Sequence, residues 1–97
     1  MTGFILSRHA AGEGEILTIA VDPANRGRGA AGALLRHHMS RLAGLGIAEL
    51  FLEVDEANTA ALSLYKRHGF GKVAERSGYY TLPDGRRATA LVMRCAL

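Results

Sequence analysis

The sequence predicts an α/β fold on a mixed sheet, with elements in the order β-β-α-β-α-β-β. Three observations carry that prediction. An apolar, β-branched run at residues 15–21 passes through the glycine-rich turn Arg26-Gly27-Arg28-Gly29-Ala30-Ala31-Gly32 into a helix-periodic run at residues 30–45. A second apolar run, residues 48–54, holds Leu50, Phe51 and Leu52 in succession, as expected of a central strand buried on both faces. Pro83-Asp84-Gly85 is a turn signal between two further strand-like stretches, residues 72–81 and 87–97.

Taken in order, residues 4–9 form a first strand and Ala11-Gly12-Glu13-Gly14 a turn, where two glycines permit positive φ. Residues 15–21 return as a second strand with Ile16, Thr18, Ile19 and Val21, ending at Asp22-Pro23. From Ala30 the period lengthens: Ala31, Leu34, Leu35, His38, Leu42 and Leu45 share one helical face, Arg36, His37, Ser40 and Arg41 the other, until Gly44 and Gly46. A helix between two strands makes residues 15–21 and 48–54 parallel. Asn58 is an N-cap for a helix over residues 59–68, and Gly69 a C′ residue that ends it.

At 97 residues the chain reads as a single domain, residues 1–97, with 48% hydrophobic and 22% charged residues, an ordinary globular composition. Residues 1–6 are too short for a signal peptide and no apolar run reaches the ~20 residues of a membrane span, so a cytoplasmic protein is expected. Cys95 is the only cysteine, which rules out an intrachain disulfide and a thiolate metal cluster; no metal is expected. The net charge of +3 suits an anionic ligand, but with six aromatic residues the composition does not predict nucleic-acid binding.

The glycine-rich turn is a phosphate cradle in form. It follows a strand and opens a helix, whose first N–H groups and positive dipole end attract an anion. Open α/β sheets bind ligands at such strand ends. The second parallel strand ends at Glu53, and an unpaired buried carboxylate costs several kcal/mol, so Glu53 is either solvated or paired.

The run Ile19-Ala20-Val21-Asp22-Pro23, with Arg26-Gly27-Arg28-Gly29-Ala30-Ala31 in the pattern Arg-x-x-Gly-x-Ala, resembles motif A of the GNAT superfamily of acyl-CoA N-acyltransferases. Leu52-Glu53-Val54, Asn58-Thr59-Ala60-Ala61, Leu64-Tyr65, Gly69-Phe70 and Gly78-Tyr79-Tyr80 resemble in particular its RimI-type branch, the ribosomal-protein alanine N-acetyltransferases. The resemblance covers residues 16–93. It implies acetyl-CoA as cosubstrate and acetyl transfer to a primary amine, a protein N-terminus before a small-molecule amine, by direct attack.

On this resemblance Ile19, Ala20 and Val21 line the pantetheine arm, Arg26, Gly27, Arg28, Gly29, Ala30, Ala31 and Gly32 hold the pyrophosphate, and Asn58 hydrogen-bonds the pantetheine. Glu53 is implied as general base, directly or through water, because an α-amino group of pKa ~8 is mostly protonated at neutral pH. Tyr65 is implied as the acid that protonates the departing thiolate, Tyr79 and Tyr80 as walls of the acceptor pocket, and a strand N–H near Ile19 as the oxyanion donor. Asn58, Ala61 or Leu62, and Tyr65 fall on one helical face, which fits.

Simpler readings stand beside these. Glu53 is also a strand-end carboxylate that could pair with a nearby arginine, Asn58 an N-cap, Tyr65 a core tyrosine, and Tyr79 and Tyr80 strand residues facing opposite sides. A coenzyme A-binding module without turnover is the alternative function. His37 and His38 point about 100° apart and do not chelate together, His68 gains from a helix C-terminus, and Cys95 reads as core. Members of the superfamily usually carry about two strands and two helices ahead of the hairpin, so the resemblance implies an N-terminally shortened fold. Its first strand would then be an exposed sheet edge, and a homodimer is expected through that edge or the uncovered sheet face.

Overall fold

The computed structural model describes residues 3–21, 29–81 and 83–97, with the side chains of residues 79 and 80 outside that description. The hairpin of β1 (Gly3–Ala10) and β2 (Glu13–Val21) leads to α1 (Ala30–Gly44), β3 (Glu49–Asp55), α2 (Thr59–Arg67), β4 (Gly71–Thr81) and β5 (Arg87–Ala96). The strands form one sheet in the order β1-β2-β3-β5-β4, antiparallel except for β2 and β3. The order and the parallel pair agree with the sequence reading. The hairpin turn is tighter than expected. Ala10 pairs with Glu13, so only Ala11 and Gly12 turn, both at positive φ (53° and 81°), and Gly14 is a buried strand residue.

Both helices pack on one face of the sheet. Leu35 and Leu42 of α1 meet Ile16, Leu50, Leu52, Val54, Met93 and Cys95, while Ala61, Leu62, Leu64 and Tyr65 of α2 pack against the same cluster. Leu35, Leu50, Leu52 and Met93 are fully buried. Ser7 Oγ and His38 Nε2 share a hydrogen bond of 2.8 Å between β1 and α1. Burial lowers the His38 pKa, with Arg41 and His37 adding to the effect, which favours a neutral ring.

The expectation that β3 is buried on both faces does not hold. Its alternate residues Leu50, Leu52 and Val54 are buried under the helices, whereas Phe51 is half-buried and Glu53 exposed. Among the described residues no element covers that second face, and Phe4, Leu6 and Leu17 are exposed on the hairpin beside it.

Two irregularities shape the sheet. Consecutive Leu6 and Ser7 pair with Thr18 and Ile16, so Leu17 is the extra residue of a bulge in β2. Pairing of β2 with β3 stops at the same level: Ile16↔Leu52 is the last rung. Beyond it residues 18–21 remain paired with β1 and residues 53–55 with β5, so the sheet opens between its two parallel strands.

Both helices end in the same way. At the end of α2, Gly69 takes φ 93°, its N–H reaches Lys66 O (3.2 Å) and Phe70 N–H reaches Tyr65 O (3.1 Å). These are the two bonds of a Schellman cap, which needs a residue tolerant of the left-handed region. At the end of α1, Gly46 N–H to Ala43 O and Ile47 N–H to Leu42 O repeat the pattern. Leu45, expected on the apolar face, is therefore the C-cap of α1 and is 65% exposed.

Candidate active site

The opening between β2 and β3 leads into a cleft of about 990 Å³ on the helix side. Ile19, Ala20 and Val21 line one wall, Gly29, Ala30, Ala31 and Gly32 at the start of α1 another, and Asn58, Ala61, Leu64 and Tyr65 of α2 a third. The described part of the predicted cofactor set and Tyr65 thus come together. Arg26, Gly27 and Arg28 lie outside the described residues, as does the expected turn at Asp22-Pro23.

The start of α1 is left open to a ligand. Its N-cap is Gly29 at φ 74°, no side chain caps the helix, and its first turn holds no acidic residue. The first-turn N–H groups are thus available to an anion, with the dipole acting in the same direction. Along the wall opposite, residues 17–21 have β1 on one side and, past Ile16, no strand on the other among the described residues. That strand edge offers amide groups to an extended ligand. Both features fit a long, phosphorylated, amide-containing molecule such as coenzyme A.

The start of α2 is closed by contrast, because Asn58 Oδ1 accepts from Ala61 N–H at 3.2 Å. Asn58 is both N-cap and cleft wall, two compatible roles. Tyr65 is held by the Schellman cap, whose hydrophobic contact joins it to Phe70 edge to face, with ring centroids 5.7 Å apart. Its hydroxyl makes no hydrogen bond to a described residue. Burial pushes the phenol pKa up, so Tyr65 stays protonated through neutral pH, as a proton donor must.

Three cleft residues escaped the sequence reading: Arg36, Arg67 and His68. His68 Nδ1–H donates to Leu64 O at 2.8 Å, which leaves Nε2 to accept from Arg36 Nη1 at 3.3 Å. Arg36 stands one helical turn after Gly32, and that spacing is the signal that could have found it.

Glu53 is not in this cleft. With Leu52 and Val54 directed to the core, the two-residue period of β3 turns Glu53 to the uncovered face, into a depression of about 470 Å³ lined also by Arg8, Glu15, Phe51 and Val92. Its Oε1 pairs with Arg76 Nη1 at 2.9 Å, and its side chain is 37% exposed. Both outcomes foreseen for this carboxylate, solvent and an arginine partner, are met together. Glu53 and Tyr65 therefore stand on opposite faces of the sheet, beside the opening between β2 and β3. Of Tyr79 and Tyr80 only the backbone is described: residues 77–79 bulge out of register opposite Thr89, between the rungs Arg76↔Ala90 and Tyr80↔Ala88.

A mixed sheet parted between two parallel strands, with an uncapped helix start at the parting, defines an α/β protein with an open anion-accepting cleft. The profile of the Acetyltransferase (GNAT) family matches residues 1–70, and the chain belongs to that family. It is similar to the ribosomal protein bS18-alanine N-acetyltransferase of Haemophilus ducreyi, 41% identical over 81 residues, which cover 84% of this chain and 56% of that protein. The bS18-alanine N-acetyltransferase of Escherichia coli is 38% identical over 93 residues, covering 96% of this chain and 62% of that one. A crystal structure of the E. coli enzyme superposes with a TM-score of 0.91 at 36% identity, covering 99% of this chain and 61% of that one. The chain thus spans about three-fifths of the length of these relatives.

Proposed function

We propose that this protein transfers an acetyl group from acetyl-CoA to a primary amine, with a protein N-terminal α-amino group as acceptor. The observation that carries the reading is the parted sheet, with the uncapped helix start and Tyr65 on one side and Glu53 on the other. The relatives named as bS18-alanine N-acetyltransferases support the acceptor class.

In this reading Gly29, Ala30, Ala31 and Gly32 receive the phosphates and the open edge of β2, at Ile19, Ala20 and Val21, receives the pantetheine amides beside Asn58. Bound acetyl-CoA supplies an acyl group on a leaving thiolate. Glu53 takes the proton from the acceptor's ammonium, directly or through water, since a group of pKa ~8 arrives mostly charged. An N–H of β2 near Ile19 faces the carbonyl oxygen, and the Tyr65 hydroxyl supplies a proton to sulfur. Tyr79 and Tyr80 border the acceptor in the same scheme, and Arg26, Gly27 and Arg28 complete the cradle. Exposed Phe4, Leu6 and Leu17 beside the free edge of β1 support a homodimer joined there, in the cytoplasm, where such acceptors are made.

A second reading, a coenzyme A-binding module that does not turn over, is favoured by one observation, the engagement of Glu53 by Arg76. The test is thiol release from acetyl-CoA on a panel of N-terminal peptides, measured alongside acetyl-CoA binding. Binding without release on any acceptor removes the transferase; no binding removes both readings.

A further inference from the structure

On the reading that Glu53 serves the acceptor side, we propose that Arg76 tunes acceptor affinity as a competing cation, holding the place at Glu53 that the α-ammonium of the acceptor takes over on binding.

Three arginine–carboxylate pairs tie the strands together around the uncovered face: Arg8–Glu15 at 3.2 Å, Arg94–Glu49 at 2.9 Å and Arg76–Glu53 at 2.9 Å. Glu15 and Glu49 sit on the stretch where β2 and β3 are still paired, Glu15 opposite Phe51 and Glu49 opposite Glu13. Glu53 alone of these carboxylates comes after the last rung, Ile16↔Leu52, so it borders both the depression on the uncovered face and the opening toward the cleft of Tyr65.

The pair is also exchangeable. Glu53 is 37% and Arg76 54% exposed, and ion pairs this accessible to water are weak. Arg76 stands at the last regular rung of β4 before the bulge at residues 77–79, where Gly78 takes φ 65°. Its side chain can leave Glu53 without breaking the ladder behind it. An α-amino group arrives as a cation with N–H donors, the properties Arg76 offers Glu53 in its absence. Exchange of one cation for another keeps the carboxylate paired throughout. An N-acetylated terminus is neutral and cannot compete. Arg76 therefore returns to Glu53 once the amine has been acylated.

The test is isothermal titration, with coenzyme A present, of a short peptide beginning with alanine and of the same peptide N-acetylated. Arg76→Gln should bind the free-amine peptide about two- to fivefold more tightly than the wild type, the change equivalent to ~0.4–1 kcal/mol for an exposed pair. The acetylated peptide should be unaffected, and Arg76→Lys should restore the wild-type affinity. Thiol release from acetyl-CoA by the wild type, with unchanged free-amine affinity in Arg76→Gln, overturns the assignment of Arg76 and leaves the transferase standing. Tightened binding in Arg76→Gln, with no thiol release from acetyl-CoA by the wild type, upholds Arg76 at an amine subsite and removes the transferase. Arg76→Lys binding as tightly as Arg76→Gln also overturns it, because a competing cation would then not be the cause.

Discussion

Replacing Gly32 by alanine separates a glycine required by the fold from one required by a ligand. Gly32 lies in the first turn of α1 with no positive φ, and an added Cβ would meet only the ends of Arg36 and His68, at 3.4 Å each. These are ordinary contacts with side-chain atoms, so the fold accepts the methyl group. In a helix the exchange is worth about 0.5–1 kcal/mol in favour of alanine. For 97 residues the unfolding entropy is about 0.2 kcal/mol/K, so the ligand-free protein should melt about 2–5 °C higher. The same methyl group stands in the wall of the cleft, where the proposed phosphate contacts need a close approach to the backbone. Loss of one N–H bond to a charged oxygen costs about 1.5–3 kcal/mol, so acetyl-CoA affinity should fall about ten- to a hundredfold. Thermal melts of the free protein and calorimetric titration with acetyl-CoA read the two effects, which have opposite signs. A lower melting temperature would show that Gly32 serves the fold, and unchanged affinity would show that the cleft does not hold the phosphates at Gly32; either result refutes the reasoning.

Three further predictions concern separate parts of the molecule. Tyr65→Phe should cut turnover by about a hundredfold with acetyl-CoA affinity little changed; because burial raises the phenol pKa, the wild-type rate should show no loss of this acid below about pH 10. An alkaline limb at lower pH that vanishes in Tyr65→Phe would assign the residue a different state. Asn58→Ala removes the Oδ1 cap on Ala61 and should cost about 1 kcal/mol, seen as a melting temperature lower by about 5 °C. The Arg94 hydrogen bond holds the Glu49 carboxyl below its usual range, so the stabilisation is present above the unfolded carboxylate value and is lost as pH falls through the folded one. Arg94→Gln should therefore raise the midpoint pH of acid unfolding, and an unmoved midpoint would mean the pair contributes nothing.

What the sequence made legible was local. Strand runs, the helical period after Ala30, the N-cap at Asn58 and the C′ role of Gly69 depend on neighbours within a few residues, and the structure follows them to within a residue or two. The parallel course of β2 and β3 was legible because a helix between two strands leaves little choice. The bulge at Leu17 was not, since neither glycine nor proline marks it and it arises from the mismatch between β1 and β2. The orientation of Glu53 was half legible. Period-two alternation sets it apart from Leu52 and Val54, yet three consecutive apolar residues suggested burial on both sides and hid that alternation. Arg36 and His68 read as a solvated helix face and a dipole partner because their proximity, across 32 residues, exists only once α1 and α2 share a sheet face.

The separation of Glu53 and Tyr65 bears on how the chemistry is organised. Were both on one face, acceptor and cofactor would compete for one cleft and the order of binding would be constrained by space. With depressions of about 470 and 990 Å³ on opposite sides, the proposed reaction has room for two ligands at once, joined among the described residues through the opening that begins after Ile16 and Leu52. Such an arrangement suits direct transfer and has no need of an acyl-enzyme. The one thiol supports the same conclusion: Cys95 is buried under the helices, its Sγ lies 3.6 Å from His68 O, and burial raises its pKa away from the thiolate form a nucleophile needs. The bulge at Leu17 coincides with the level where β2 parts from β3, so the opening that joins the two proposed sites begins at that irregularity. A chain that kept every side chain of the site but paired β2 with β3 along its whole length would retain Glu53 and Tyr65 with a closed sheet between them.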